Sequence, residues 1–283
     1  MLSWFRRPAA ALQEVETTVE TTDAPSPEEI ILKAFPSFAP NSSGSRQARG
    51  EVTARTIRQI IPLLHDFVEA ANGGLQPVLD IADFSKTRED AEAADAFKQR
   101  LDFHGSDKAT VHDYHLLYGA ILRDRDAIAK ILEIGLGTNN TDIVSNMGEN
   151  GRPGASLRAF RDFCPSAMIY GADIDRNILF AEERIETRFV DQSDTASLDE
   201  LSANLPGDFD LIIDDGLHAP DANLATLRFG MAKVRIGGWV VIEDINPGQA
   251  AFWQVVAALV PGNFEKFLVK SRHSYLFVVR RLS

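Results

Sequence analysis

From about residue 128 to the end of the chain, short apolar runs alternate with segments of helical periodicity. The apolar runs show little polar alternation, which is typical of strands buried on both faces. The predicted strands cover residues 129–135, 167–174, 186–192, 209–216 and 237–245, followed by the closing runs EKFLVK and SYLFVVRR. The predicted helices between them cover residues 156–164, 223–234 and 252–260. This order predicts a parallel sheet with helices on both of its faces.

The last two predicted strands are separated only by Ser271, Arg272 and His273. Parallel neighbours need a long crossover, so this short connection predicts an antiparallel hairpin at the end of the sheet. Strand–helix steps that end in such a hairpin are typical of class I methyltransferases. We therefore predict an α/β fold with a Rossmann-like, seven-stranded class I methyltransferase sheet, a terminal antiparallel hairpin and a helical N-terminal region.

The first hundred residues follow a different pattern. Residues 1–50 are rich in Thr, Ser, Pro, Ala and Glu with little periodicity, which predicts disorder and a linker, with one short helix over residues 27–35. Apolar positions then recur at helical spacing, so residues 51–105 are predicted to form a helical N-terminal region. The methyltransferase-like domain is predicted over residues 106–283.

Composition and charge narrow the choice of function. The 41 acidic residues outnumber the 29 basic ones and give a net charge of −12, so we expect no nucleic-acid surface. No apolar run reaches the length of a membrane span, so no integral membrane segment is expected. A single cysteine, Cys164, excludes an internal disulfide framework. We expect a cytoplasmic protein that acts on a small molecule, with a homo-oligomer as one option for its assembly.

A glycine-rich turn, E-I-G-L-G-T, follows the first predicted strand. Glycines at such a turn let the backbone approach a ligand closely. The third glycine of G-x-G-x-x-G is missing, and residues 139–153 are polar and loop-like, so a pyrophosphate would lack its usual helix N-terminus. The turn therefore favours S-adenosylmethionine (SAM), which carries no pyrophosphate. The predicted cofactor residues here are Glu133, Gly135, Gly137 and Thr138.

Acidic side chains end the second and third predicted strands. Asp173 can accept hydrogen bonds from both ribose hydroxyls, whereas Asp175 is expected to be exposed. Asp191 can accept from the adenine amino group, and the backbone N–H groups of its neighbours, including Gln192, can meet the ring nitrogens. Ligands of open α/β sheets bind at this edge, so the acids together predict a SAM site. Each acid alone is equally compatible with a solvated loop or a helix N-cap.

Four carboxylates follow the fourth and fifth predicted strands, in the pairs Asp214-Asp215 and Glu243-Asp244. These strands are neighbours in the predicted sheet, so the four side chains project from one edge and repel one another. A divalent cation removes this repulsion, and oxygen ligands favour Mg²⁺ or Mn²⁺. Alternatively, some of these acids bind solvent, SAM or loop N–H groups, and Asp214 is assigned to the cofactor.

His218 lies three residues after Asp215, on the turn that leaves the fourth strand. This position predicts an imidazole beside the metal, where it can take the proton of an acidified hydroxyl. The alternative is that His218 only caps the helix that begins near Pro220. Three upstream histidines are expected to be structural: His104, His112 and His115.

These motifs resemble a known family. E-x-G-x-G, G-A-D, D-Q-S-D, I-I-D-D-G-x-H and G-G-W-x-V-I-E-D-I are similar to the metal-dependent O-methyltransferases of macrolide deoxysugars, the mycinamicin and tylosin type. The upstream G-S-D-K and H-x-Y also resemble that group, and the likeness covers roughly residues 103–283. The resemblance implies that Asp215, Glu243 and Asp244 hold the metal. It also implies that His218 is the base and that the acceptor is a sugar or natural-product hydroxyl.

Two other function classes remain open at this point. An NAD(P)-binding oxidoreductase uses a related sheet, but it predicts the third phosphate glycine and a Tyr/Lys or Cys catalytic pair. A non-catalytic interaction module with the same fold predicts loss of His218 or of the carboxylates. Trp253, Tyr275 and the 139–153 loop are the candidates for lining an acceptor pocket.

Overall fold

The computed structural model describes residues 24–283, which divide into two compact units at residue 60. In the first unit, helix α1 (Pro27–Ala34) begins at Ser26, whose hydroxyl accepts the N–H of Glu29. Helix α2 (Arg46–Asn72) spans the division between the units.

Helix α2 begins within the segment that the composition assigned to a linker. The Ser45 hydroxyl accepts the N–H of Ala48, so a polar cap starts the helix before the apolar periodicity becomes visible. The part of the predicted linker over residues 1–23 lies outside the described residues. The domain boundaries at residues 50 and 105 stay predictions.

The second unit is built on one sheet, and the described residues contribute nine strands to it. The strands are β1 (Val78–Asp80), β2 (Lys130–Ile134), β3 (Met168–Asp173), β4 (Ala181–Glu182), β5 (Ile185–Phe189), β6 (Phe209–Asp214), β7 (Val234–Ile245), β8 (Phe264–Lys270) and β9 (Tyr275–Arg281). Their order is β1-β8-β9-β7-β6-β2-β3-β5-β4. Strand β9 runs antiparallel between β7 and β8, which confirms the terminal hairpin. The seven predicted strands are all present, and the short β1 and β4 extend the two edges.

Six further helices cover this sheet: α3 (Arg88–His104), α4 (His115–Ile121), α5 (Ala155–Phe163), α6 (Thr195–Asn204), α7 (Pro220–Lys233) and α8 (Ala250–Leu259). Side chains alternate along each strand, so Ile131 packs into the core formed with α3, α4 and α5, and Leu132 packs into the core formed with α6, α7 and α8. Trp253 is fully buried in the second core and Tyr275 packs against it. Both were candidates for the acceptor pocket and instead stabilise the α8 side of the sheet.

The loops that follow β2 and β6 lie in close contact at the carboxyl edge of the sheet. Gly135 has φ +97°, and a Cβ at this position would overlap the carbonyl oxygen of Asp215. The Asp215 N–H also donates to the carbonyl of Ile134. Only glycine allows this approach, so the glycine turn sets the spacing of the two loops. Among residues 24–283, no helix is long and apolar enough to cross a membrane.

Candidate active site

Two cavities open side by side at the carboxyl edge of the sheet. The first cavity, of about 340 Å³, contains most of the predicted cofactor residues. The second cavity, of about 260 Å³, is lined by His218 and by an acidic cluster that comprises Asp215, Glu243 and Asp244. Gly135, Gly137, Ser145 and Asp215 line both cavities, so the two spaces adjoin at the glycine turn.

The carboxylate of Asp173 binds the backbone of the glycine turn, and Asp173 also lines the first cavity. Its carboxylate accepts the backbone N–H groups of Leu136, at 2.7 Å, and of Asp175, at 2.8 Å. Burial raises the pKa of Asp173 in spite of these hydrogen bonds. The carboxylate therefore connects the end of β3 to the turn after β2.

Asp175 is buried, contrary to the expectation that it is exposed. The chain turns back in a short 3₁₀ helix after Asp175, and the hydroxyl of Thr138 donates to its carboxylate at 2.5 Å. This hydrogen bond lowers the pKa of Asp175. Thr138 lines the first cavity and is held in place by this pair.

Asp191 and Gln192 lie on the loop after β5, at the far wall of the first cavity. Oδ1 of Asp191 accepts the N–H of Ser193 at 2.9 Å and its hydroxyl at 2.6 Å. The amide of Gln192 donates to Asp214 at 2.7 Å and accepts the N–H of Leu217 at 2.8 Å. Gln192 thus cross-links the loops after β5 and β6, and the Asp191 carboxylate remains half-exposed to the cavity.

Glu133 and Asp214, which were predicted to be cofactor residues, line neither of these two cavities. Glu133 is fully buried, accepts from the hydroxyl of Ser156 at 2.5 Å and lies 3.1 Å from Lys108. Asp214 is fully buried and accepts from Gln192 and Asn223. Both residues end strands that pair at the centre of the sheet, where the loops cover them, and burial raises the pKa of each. Both carboxylates are hydrogen-bonded within the protein here, and their assignment to the cofactor stays a prediction.

Lys108 lies at the centre of the acidic cluster, and no role was predicted for it. Its ammonium is 2.6 Å from Oδ2 of Asp215, 3.1 Å from Glu133, and in contact with Glu243. Tyr118 donates to the other oxygen of Glu243. Burial lowers the pKa of Lys108, but the three carboxylates outweigh this effect and raise the pKa well above its ordinary value. These contacts therefore favour the charged form of Lys108 inside the site.

Asp244 is held by donors on its other side. Oδ1 accepts the hydroxyl of Tyr114 at 2.6 Å and that of Ser274 at 3.2 Å. Burial raises the pKa of Asp244, but the Tyr114 hydrogen bond and the nearby cationic groups bring it below the ordinary value. His112 stacks on Tyr114, and its Nδ1 is 3.2 Å from Oδ1 of Asp244. His112, which was expected to be structural, lines the second cavity.

His218 faces the second cavity from the turn after β6. Its Nε2 is 3.9 Å from Oδ1 of Asp215 and 3.9 Å from Oδ2 of Asp244. Helix α7 begins at Pro220 with Ala219 as its N-cap, and no side-chain cap is formed. The capping alternative for His218 therefore has no hydrogen bond to support it. The other two upstream histidines are outside the cavity: His104 pairs with Asp162 at 2.7 Å and His115 is buried.

Asp215, His218 and Asp244 each offer one ligand atom, and these atoms lie within 4.8 Å of one another. The aspartates supply hard oxygen donors, which fit Mg²⁺ or Mn²⁺. Glu243, the third metal ligand implied by the resemblance, also lines the second cavity, where Lys108 and Tyr118 engage its two oxygens, and its role as a ligand stays a prediction. The carboxylates that line the second cavity therefore fit a divalent cation held beside His218.

Comparison with known proteins identifies relatives for about half of the chain. No family model matches it. An 8-demethyl-8-α-L-rhamnosyl tetracenomycin-C 2′-O-methyltransferase of Streptomyces olivaceus is 32% identical over 151 residues, which are 53% of this chain and 37% of that protein. Demethylmacrocin O-methyltransferase of Streptomyces fradiae is 36% identical, over 46% of this chain and 30% of its own length. Mycinamicin VI 2″-O-methyltransferase of Micromonospora griseorubida is 36% identical, over 48% and 31% respectively. The chain thus spans about a third of the length of these curated relatives.

Solved structures extend the comparison to the fold. MycE methyltransferase from the mycinamycin biosynthetic pathway, in complex with Mg and SAH, matches with a TM-score of 0.52 and 24% identity, over 66% of this chain and 54% of MycE. MycE in complex with Mg, SAH and mycinamycin VI matches with a TM-score of 0.52 and 23% identity, over 70% of this chain and 54% of MycE. The chain has the class I methyltransferase fold, and its predicted resemblance to O-methyltransferases of the mycinamicin type is confirmed.

Proposed function

We propose that this protein is a SAM-dependent O-methyltransferase that methylates a hydroxyl of a sugar or another natural-product acceptor, assisted by Mg²⁺ or Mn²⁺. One observation carries the proposal: a cavity with cofactor-type residues adjoins a cavity that contains His218 and two aspartates, and Asp215 lines both. A methyl donor in the first cavity and a hydroxyl in the second would meet at the glycine turn. The similar proteins are named as O-methyltransferases, and the MycE structures contain Mg and SAH.

The first cavity suits an adenosine group better than it suits a dinucleotide. Ile174 and Leu217 supply apolar walls, and Asp191 presents a carboxylate that can accept hydrogen bonds. The glycine turn is followed by a long loop, so there is no helix N-terminus directly after it to bind a pyrophosphate. This combination supports SAM over NAD(P).

In the second cavity, Asp215, Glu243 and Asp244 would hold the metal. When bound, Mg²⁺ supplies positive charge that acidifies a hydroxyl placed beside it. Nε2 of His218 faces the same space as the free oxygens of both aspartates and is the group placed to take the hydroxyl proton. The deprotonated hydroxyl oxygen would then bond to the methyl carbon while the methyl–sulfur bond of SAM breaks, which leaves S-adenosylhomocysteine.

The rest of the second cavity is polar, which supports a hydroxyl-rich acceptor. Ser106, Asp107, Asn146 and Arg152 line it together with His112. Such side chains offer both donors and acceptors to the hydroxyls of a sugar ring. Residues 145–147 and 152 come from the 139–153 loop, which was predicted to line the acceptor pocket. A chain with a single cysteine is compatible with a reducing compartment. We therefore also propose that the protein is located in the cytoplasm.

Calorimetric titration with SAM, in Mg²⁺ and again in EDTA, tests the proposal first. We expect SAM to bind, and we expect turnover of a deoxysugar or catechol panel only when Mg²⁺ is present. His218→Ala should abolish turnover, whereas His65→Ala, on helix α2 and outside both cavities, should not. Turnover that persists in EDTA contradicts the metal assignment. Binding of NAD(P)H in place of SAM contradicts the proposed function itself.

A further inference from the structure

The imidazole of His218 is not held by a hydrogen bond at its second ring nitrogen. Nδ1 is buried and has no hydrogen-bond partner among residues 24–283, whereas Nε2 faces the second cavity. A histidine base is commonly oriented by a hydrogen bond at the nitrogen that does not take the proton. In this part of the chain, the placement of the ring therefore depends on the backbone that carries it, which has φ 56° at His218.

That backbone is held at the preceding residue, Leu217. The N–H of Leu217 donates to Oε1 of Gln192 at 2.8 Å, and its carbonyl accepts the hydroxyl of Ser145 at 3.0 Å. The carbonyl of Leu217 and the N–H of His218 belong to one planar peptide unit. Side chains from two other loops therefore bind both backbone groups of Leu217 and define the direction of the peptide that leads into His218.

Gln192 is a rigid support for the Leu217 peptide. Its Nε2 donates to Asp214 at 2.7 Å and to Thr226 at 2.9 Å, so Oε1 is the atom that remains for the N–H of Leu217. A Cβ on Gly216 would overlap this oxygen, so the glycine lets the amide approach the backbone closely. Because Gln192 is also buried, its position is set by the protein itself.

Ser145 is the weaker support, because it is exposed on the loop after the glycine turn. Its backbone has φ 63°, and the residue lines both cavities. Leu217 and Gln192 also line the first cavity, so a ligand there would lie against all three side chains. Such a ligand would exclude water from the hydrogen bond between Ser145 and Leu217, and a hydrogen bond is stronger where water is excluded.

We propose that Ser145 is a positioning residue that, opposite Gln192, places His218 through the Leu217 peptide, and that occupation of the first cavity completes this placement. The imidazole is then fully positioned only when the methyl donor is bound. The role of His218 as a base and the identity of the ligand as SAM rest on the proposed function, whereas the two hydrogen bonds to Leu217 do not.

Adenosine is the probe for this coupling, because it lacks the methionine part of SAM that would extend towards the second cavity. The imidazole resonances of His218 are recorded by heteronuclear NMR at constant pH, with and without adenosine, and are assigned by their absence in His218→Asn. Calorimetry checks that adenosine is bound.

Two substitutions of Ser145 and one control separate positioning from a general loosening of the backbone. Ser145→Gly removes the hydroxyl and accepts the positive φ, whereas Ser145→Asn also accepts it and keeps a hydrogen-bond donor. Asp208→Gly is the matched control, since Asp208 is an exposed residue with φ 58° that lies directly before β6, at the opposite end of this strand from His218.

Adenosine should shift and narrow the His218 resonances in the wild type and in Asp208→Gly. In Ser145→Gly, the resonances should differ from those of the wild type before adenosine is added, and the shift caused by adenosine should be lost. Ser145→Asn should restore the shift.

An adenosine-induced shift of equal size in Ser145→Gly, or no shift in the wild type with adenosine bound, overturns the coupling. Failure of adenosine to bind a wild type that binds SAM overturns it as well, because the first cavity is then not the adenosine site. Unliganded resonances that are the same in Ser145→Gly and the wild type overturn the positioning by Ser145. If the wild type binds neither compound, the proposed function fails, and the unliganded resonances still decide whether Ser145 positions His218.

Discussion

His218 and Asp244 face each other across the second cavity, with Nε2 of the imidazole 3.9 Å from Oδ2 of the carboxylate. Both residues have positive φ angles, 56° and 51°. Such backbone conformations are uncommon for residues other than glycine and are retained where the surrounding structure demands them. Here the turn after β6 and the bulge near the end of β7 bend the chain so that the two side chains meet. The pair therefore depends on the turn after β6 and on the bulge in β7, and not on the regular part of the sheet.

The first prediction concerns the proton acceptor. His218→Asn should reduce methyl transfer by roughly a hundredfold to ten-thousandfold, because it removes the imidazole that faces the free oxygens of both aspartates. Asparagine tolerates a positive φ, so the turn should keep its conformation. SAM affinity by calorimetry should not change, and His65→Asn on helix α2 serves as the control. A variant that loses SAM affinity in parallel with turnover points to a folding defect and away from a base.

The second prediction concerns the cofactor carboxylate. Asp191→Asn should weaken SAM binding by roughly tenfold, since a charged acceptor in the first cavity becomes a neutral amide. The amide oxygen can still accept from Ser193, as Oδ1 of Asp191 does, so the loop after β5 should keep its shape. Asp199→Asn, at an exposed position on α6, is the control and should bind SAM normally. The SAM affinities of the wild type, Asp191→Asn and Asp199→Asn are measured by calorimetry. Equal affinities exclude Asp191 as a cofactor contact.

Local patterns predicted those parts of the site that follow directly from strand ends. Asp173, Asp191, Asp215 and His218 each come at or just after a strand that is recognisable by its apolar run, so their common edge follows from the topology. Their burial was less predictable. Asp214 and Asp215 are adjacent, yet one is fully buried and the other faces both cavities. That difference depends on which loops cover the end of β6. The spacing of apolar residues along the sequence does not predict this.

The partners from distant segments could not be predicted in the same way. Lys108 is 107 residues away from Asp215, and Tyr114 is 130 residues away from Asp244. The resemblance drew attention to G-S-D-K and H-x-Y but gave neither residue a task. The excess of carboxylates at the predicted sheet edge was the available signal, because clustered negative charges require compensating positive charge. The sequence interpretation assigned all of that compensation to a metal, whereas the protein supplies part of it from Lys108.

The third prediction tests the contact between the loops after β2 and β6. Gly135→Ala should lower the free energy of unfolding by about 2–5 kcal/mol, because a Cβ would overlap the Asp215 carbonyl and φ is +97°. Both cavities share this contact, so SAM binding should be lost as well. Gly207→Ala is the control, since a Cβ there meets no atom within 4 Å. Denaturant unfolding provides the measurement, and equal stability of the two variants contradicts a tight approach of the loops.

The last prediction concerns the single cysteine. Cys164 is fully buried, and burial raises the pKa of its thiol to about 12. The folded protein therefore keeps the thiol proton at pH 8, and Cys164 should not react with a thiol reagent such as Ellman's reagent until the protein unfolds. In the unfolded chain the thiol releases its proton near the ordinary pKa of 9.0. Between these two values the folded state binds more protons, so stability should fall as the pH rises through the window. Cys164→Ser should remove this part of the pH dependence, and rapid labelling of the native wild type at pH 8 would show that the thiol is accessible.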